Sequence, residues 1–477
     1  MVSALIAQQL ASLSLKLHEV DTARNALLAQ VADLDAISRT VQAEYNGIFN
    51  DAAAIATLPN EILACIFEEM RRSEDGQAFL GIIAQVTRRW RDVATNTPRL
   101  WSKISVEKHH GFKLCALYLT RTKVVPFDLT VSIMTAHKDF ATFVQLLTDH
   151  MNHCRRLTIV TASTIEADKL LTTLLPLSAP LLESFDMSRK PTVSAQPWPL
   201  SRNIDVTILA GGAPLLTTVR LSKVPCCLPP LDSVTALHLL NVHPNSRLSG
   251  ETLRDALLSL KRLTLLEVEG QIIDANVWLH GDAIELPALQ TLRIGADDGQ
   301  HFASQFLVLY EAIDAPSLQV LSLYNFGDDD LIFLSTSDKK PFPALSTLML
   351  IECGAVISQF GPIMRVFPQV ETVVIERNVP ALLSLLQAAD GESVRWPRLR
   401  KLAIPRWLSS HLPVHEVHER LYNCVTGRIR IGHPIAELSL PNHTRSDAVG
   451  ALSTDGGVIL TELIRVSVYE GGTEGSQ

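Results

Sequence analysis

The chain has 477 residues, 47% of them hydrophobic and 19% charged, the balance of a globular protein of two or three domains and not of a disordered one. A formal net charge of −8 argues against a general nucleic-acid binder, because displacing counterions from phosphates takes a dominant basic surface. Seven cysteines, an odd number with no C-x-x-C pair, read as reduced thiols of a cytoplasmic or nuclear protein and not as a disulfide framework.

Residues 1–53 are expected to form a helical arm. The first fifteen residues lack a basic n-region, and Gln8 and Gln9 interrupt the apolar run, so a signal peptide is not expected. No run of eighteen apolar residues occurs, so no membrane span is expected either. Leu10, Leu13, Leu17 and Val20, and later Leu27, Val31, Leu34 and Val41, recur at three- and four-residue steps. That is a helical stripe close to heptad period, diluted by alanine. Two readings stay open for it: a helix packed on its own protein, and a coiled-coil seam.

Residues 54–106 form a second segment. Pro59 suits the first position of a helix, where its missing N–H is not needed. Ile62, Leu63, Ile66, Phe67 and Met70 come next at i, i+1, i+4, i+5 and i+8, an apolar face wide enough to serve a core on one edge and a partner on the other. The polar run from Arg71 ends at Gly76, a helix stop by composition. A second helix is expected over 78–94, and Pro98 separates it from the rest of the chain.

From about residue 107 to 469 an L-x-x-L-x-L pattern recurs, as in Leu216/Val219/Leu221, Leu289/Leu292/Ile294 and Leu345/Leu348/Leu350. Between Leu237 and Leu402 its middle residues step by 29, 26, 29, 27, 25 and 29, a period in the leucine-rich-repeat range. One short strand cannot bury its alternating face alone, whereas stacked copies make a continuous core. The intervening segments carry helical spacing, as at Phe302, Phe306, Leu309, Tyr310 and Ile313. The polar residue expected after each triplet is present as Asp297, Cys353 and Asn378 but is replaced by Phe326 and Trp407, so the repeat is expected to be irregular. Asn442, His443 and Thr444 fit a glycosylation sequon but are read as an ordinary loop, and residues 470–477 as a flexible tail.

The series Leu58, Pro59, Asn60, Glu61, Ile62 and Leu63, then Val86 to Arg91, then Pro98, Arg99, Leu100 and Trp101 resembles the F-box. Set ahead of the repeats, it is similar to fungal, basidiomycete-type F-box proteins with a leucine-rich-repeat-like C-terminal region. The resemblance covers about fifty residues closely and the repeats loosely, and Thr87 stands where the family often has Cys or Ser. It implies an α/β fold class: an all-α N-terminal arm and F-box-like helices followed by an irregular leucine-rich-repeat-like solenoid. It implies a Skp-type adaptor and a cullin ligase core as partners, with Leu58, Pro59, Ile62, Leu63 and Ile66 in contact with the adaptor and Val86 and Trp90 near the same interface or holding it up. The repeats would hold an unknown target protein. Their inner-face positions are Thr291, Arg293, Val320, Ser322, Tyr324, Thr347, Met349, Thr372, Val374, Glu376 and Lys401. A scaffold outside ubiquitin transfer, built on the same two parts, is the alternative.

No catalytic residue, cofactor or metal site is expected, and neither a nucleic acid nor a membrane as partner. The G-x-S-x-G, P-loop and G-x-G-x-x-G patterns are missing. His411, His415 and His418 have i, i+4, i+7 spacing, but Pro413 interrupts them and the order falls one residue short of H-E-x-x-H. Asp328, Asp329 and Asp330 lack the spaced partners of a calcium loop and read as a helix cap. Arg88, Arg89 and Arg91 read as a solvated helix face.

Overall fold

The computed structural model describes residues 2–72, 76–106, 111–134, 139–190, 207–242, 250–270, 272, 283–296, 309–327, 342–353, 357–387, 394–406, 414–440 and 464–469. The chain divides into two compact units, Met1–Leu100 and Trp101–Gln477.

The first unit opens with α1, Val2–Asp51. Residues 2–51 contain no proline and a single glycine, Gly47, so nothing in the backbone interrupts the helix. Its large apolar side chains are exposed along the whole length, from Ile6 at 51% to Ile48 at 74%. A 3-10 turn at Ala54–Thr57 leads into α2, Asn60–Arg71, α3, Gly76–Val86, and α4, Arg88–Thr95. Two boundaries differ from the sequence reading. Gly76 opens α3 and does not end α2. The single helix expected over 78–94 is broken at Thr87, whose backbone is extended (φ −143°) and whose Oγ1 accepts from the Trp90 N–H at 3.1 Å. That cap satisfies a donor the helix start leaves unpaired. Leu63, Phe67, Leu80, Ile83, Val93 and Leu100 make the buried core, and the Phe67 ring packs on Trp90 with centroids 5.1 Å apart.

The second unit is built on strands β1 (Lys103–Val106), β2 (Phe127–Ile133), β3 (Cys154–Thr161), β4 (Ser184–Arg189), β5 (Thr218–Ser222), β6 (Ala236–Leu240), β7 (Leu265–Glu269) and β8 (Ile284–Glu285). It continues through β9 (Thr291–Gly295), β10 (Ile313–Asp314), β11 (Val320–Tyr324), β12 (Thr347–Ile351), β13 (Thr372–Ile375), β14 (Lys401–Ala403), β15 (Glu437–Leu440) and β16 (Arg465–Val468). Fourteen of these form one sheet whose strand order runs with the chain, and β8 pairs separately with β10. All pairings are parallel, for example Leu292 with Leu321 and Leu321 with Leu348. β1 pairs with β2 and lies in this second unit, although residues 103–106 fall within the segment 54–106.

The triplet residues form the core. Val219, Leu221, Leu292, Leu348 and Leu350 are each 1% exposed or less. Helix α5 (Gly111–Thr122) packs on β1, and α6 (Thr164–Leu174) on β3. Helix Val379–Leu386 packs between helices Ile357–Val366 and Val414–Arg430. Apolar strand faces are therefore stacked edge to edge, the arrangement by which repeats share one core. Near the C-terminal end, Arg428 is 1% exposed. It donates to the carbonyls of His433 (3.0 Å), Arg395 (2.9 Å) and Trp396 (2.8 Å).

After several strands the chain turns through a left-handed residue: Lys223, Asn241, Gly270, Asn325 and Glu352 have φ between 49° and 71°. The N–H groups of the first four extend the ladder, Asn241 donating to Glu269 O at 2.7 Å and Asn325 to Ile351 O at 2.9 Å. Gly270 needs its lack of a side chain twice over, because a Cβ there would also collide with Asn241. The capping positions read from sequence behave differently from one another. The Cys353 thiol is buried and donates to Leu323 O at 3.4 Å, Asn378 precedes helix Val379–Leu386, and Phe326 is buried. Asp297, Phe302, Phe306, Trp407 and Asn442 lie outside the described residues.

Candidate functional site

In the helical unit, Pro59 is the residue before α2 and not its first helical position. Its carbonyl accepts from the N–H groups of Ile62 and Leu63, both at 3.1 Å. Arg89 reaches back from α4 to hold this corner. Its Nε donates to Asn60 Oδ1 at 2.9 Å, and its two terminal nitrogens donate to the carbonyls of Ala56 and Leu58. A planar guanidinium can meet three acceptors at once in fixed geometry, which lysine cannot. Arg89 is thus no solvated bystander, and no local spacing announces this, because its partners lie 29 to 33 residues upstream. Arg91 Nε likewise donates to Ala84 O at 2.7 Å.

Held this way, the corner and the two helices after it leave apolar side chains in solvent. Pro59 is exposed, Ile62 is 47% exposed and Val86 41%, while Leu58, Ile66 and Trp90 are half-buried. Leu63 is a correction: it is 0% exposed, so it lies in the core beneath this surface and cannot meet a partner. The i+1 step from Ile62 turns it about 100° around the helix, onto the inner side. Met70, on the apolar face read from the sequence, is 47% exposed, and Ile82, which the sequence reading did not place here, is 60% exposed.

In the second unit, strand register assembles the predicted sheet positions into rows. Thr291, Val320, Thr347, Thr372 and Lys401 are consecutive partners, as are Arg293, Ser322, Met349 and Val374. Tyr324 stands between Gly295 and Ile351. Ser322 and Val374 in these rows, and Glu376 just after β13, are 5 to 7% exposed, so they offer little surface. The second row extends in the other direction through Glu267, His238, Arg220 and Asp186, four charged or ionisable residues that the sequence reading missed. Each stands between the last two apolar residues of its triplet, the same position as Arg293, and that is the signal that could have found them.

This row is electrically coupled. His238 Nδ1 contacts Glu267 Oε2, and Arg293 lies 3.8 Å from Glu267 Oε1. Burial pushes the Glu267 carboxyl upward, but the His238 hydrogen bond and the charges of His238, Arg293 and Arg220 outweigh it and hold it below the usual range. Asp186 goes the other way. Burial raises it more than Arg220 and His238 lower it, and its Oδ1 has no hydrogen-bond partner among the described residues. At the far end of the sheet Glu437 accepts from Lys401 (2.9 Å) and Ser467 (2.7 Å), and these bonds hold its carboxyl low.

Among the described residues no group of three or more His, Cys, Asp or Glu is placed to hold a metal, and no helix is long and apolar enough to cross a membrane. His411, Asp328, Asp329, Asp330 and the side chains of His415 and His418 lie outside the described residues. The seven cysteines are free thiols, and only Cys65 is exposed.

The family model described as F-box-like matches residues 55–107, so the exposed corner and helices α2 to α4 are an F-box-like domain. No curated protein matches the chain. Among solved structures, a chain of the crystal structure of the Rad7 and Elc1 complex in yeast is similar at 11% identity with a TM-score of 0.37, over 80% of this chain and 96% of that one.

Proposed function

We propose that this chain is a substrate-recognition subunit of a Skp-cullin-F-box type ubiquitin ligase, acting in the cytoplasm, the nucleus or both. The observation that carries the reading is the exposed apolar surface of the F-box-like domain, where Pro59, Ile62 and Val86 sit over a filled core. A core that is already closed by Leu63 and Phe67 has no need of them, and a handful of such side chains is enough to anchor a partner. The adaptor takes this surface, and the parallel sheet takes the target on its polar rows. The chain itself makes and breaks no bond. It raises the effective concentration of target lysines around a ubiquitin-charged enzyme.

The test is co-purification with a Skp-type adaptor. The Ile62→Glu/Val86→Glu variant should lose roughly 100-fold or more in adaptor affinity while its unfolding midpoint stays put, since both side chains are exposed. Undiminished capture would overturn the reading. Adaptor capture without any cullin in the purified assembly would favour a bridging scaffold outside ubiquitin transfer.

A further inference from the structure

We infer that α1 is one strand of a parallel two-stranded coiled coil, and that its partner is a second copy of this chain. From Ile6 the sequence steps by four and three residues in unbroken alternation to Ile48. One set of seam positions is Ile6, Leu13, Val20, Leu27, Leu34, Val41 and Ile48, apolar without exception, and the other is Leu10, Leu17, Arg24, Val31, Ser38 and Tyr45. That is a strict seven-residue repeat over the described helix. A straight helix of 3.6 residues per turn lets such a stripe drift by about 20° per heptad, and only supercoiling around a partner keeps it in one interface. The eleven apolar seam residues are 51 to 74% exposed, and nothing in the described chain covers them. At roughly 100 Å² each they would bury on the order of 1,000 Å² per helix, enough for a stable specific interface.

Charge selects orientation and number. In a parallel pair, Lys16 in the position before a seam residue faces Asp21 of the partner subunit in the position after one, and no like charges face each other across these flanking positions. With the helices antiparallel and their ends aligned, Lys16 would face Ile37 instead. Arg24 is the one charged seam residue, and its guanidinium already lies 3.9 Å from Asp21 of its own helix. In a two-stranded coil its stem can lie along the seam with the charge in water, whereas in three or more strands it would be buried. A single charged seam residue of this kind fixes register and strand number.

Sedimentation equilibrium of the full chain at micromolar concentration should return twice the 52.4 kDa of one copy. Leu13→Glu/Leu34→Glu should halve that mass, and Leu15→Glu, on the outer face, should leave it unchanged. Both variants should keep adaptor capture, so a failure here is separable from a failure of the F-box reading. In a Cys65→Ser background, Ser38→Cys should cross-link the two chains on mild oxidation, because a parallel coil sets this position against itself. A wild-type mass of one copy or of three, a double-mass species that survives Leu13→Glu/Leu34→Glu, or absence of the cross-link would each overturn the inference.

Discussion

The two units handle apolar surface in opposite ways. The strand unit buries nearly every apolar triplet, and its intermediate positions carry polar groups that answer one another, as His238, Glu267 and Arg293 do. The helical unit closes a small core and then leaves Ile62, Ile82, Val86 and the length of α1 in solvent. Exposed apolar groups concentrated in one unit mark where association is built in, because water alone gives no reason to keep them there. Substitutions should therefore divide cleanly. In the helical unit, changes at exposed apolar positions remove partners and spare stability. In the strand unit, changes at buried positions remove stability.

The largest effect expected on the strand side is at Arg428. Replacing it by Met removes three charge-assisted hydrogen bonds, those to the carbonyls of Arg395, Trp396 and His433, and leaves Trp396 O with the Leu399 N–H at 3.1 Å. The loss should be about 4 kcal/mol in chemical denaturation, since three bonds to a charged donor are lost at once and such bonds are the strong ones. A change under about 1 kcal/mol would break the contrast by showing that this end of the sheet does not depend on these bonds.

Next comes Gly270→Ala. A Cβ at φ 71° is strained, and Asn241 occupies the space it needs, so about 2 kcal/mol should be lost. The same substitution at Gly81, which has open space around it, should have no such effect or stabilise slightly.

The smallest effects are the most informative about the charged row. Glu267 is held low in the folded state, so its contribution is present above the unfolded carboxylate pKa and is lost as pH falls through the folded value. Glu267→Gln should lower the urea midpoint at neutral pH and flatten its decline below about pH 4.5. Asp186 is held high, so its contribution is present at low pH and lost as pH rises through the folded value. Asp186→Asn should therefore raise the midpoint at neutral pH. Equal signs for the two variants would mean that the row does not act as the coupled set described.

Much of this was legible in the residues. The triplets from Leu216 to Leu402 named the strands, because strand alternation is written locally, two residues apart. The exposed position Ile62 was legible for a similar reason, on a helix face wider than one contact, whereas Pro59 and Val86 were legible only through the F-box resemblance. What escaped needed three dimensions. Leu63 comes directly after Ile62 in the same apolar run, and only the packing of α2 against α4 tells the inner from the outer. Thr87 breaks a helix whose composition reads as continuous, because one side-chain oxygen competes for the Trp90 N–H. Arg89 finds its acceptors across 29 to 33 residues. The row from Asp186 to Arg293 exists only through register, which joins His238 to Glu267 across 29 residues.

The strand order has a mechanical consequence. Among the described residues, each strand of the fourteen is hydrogen-bonded only to the strands before and after it in that ladder, and no strand pairing ties the first to the last. Pulled by its two ends, this sheet should yield as a zipper does, one repeat after another at low and similar force, and not in a single rupture. An unfoldase that grips either end of the sheet would meet a row of small barriers in place of one large one.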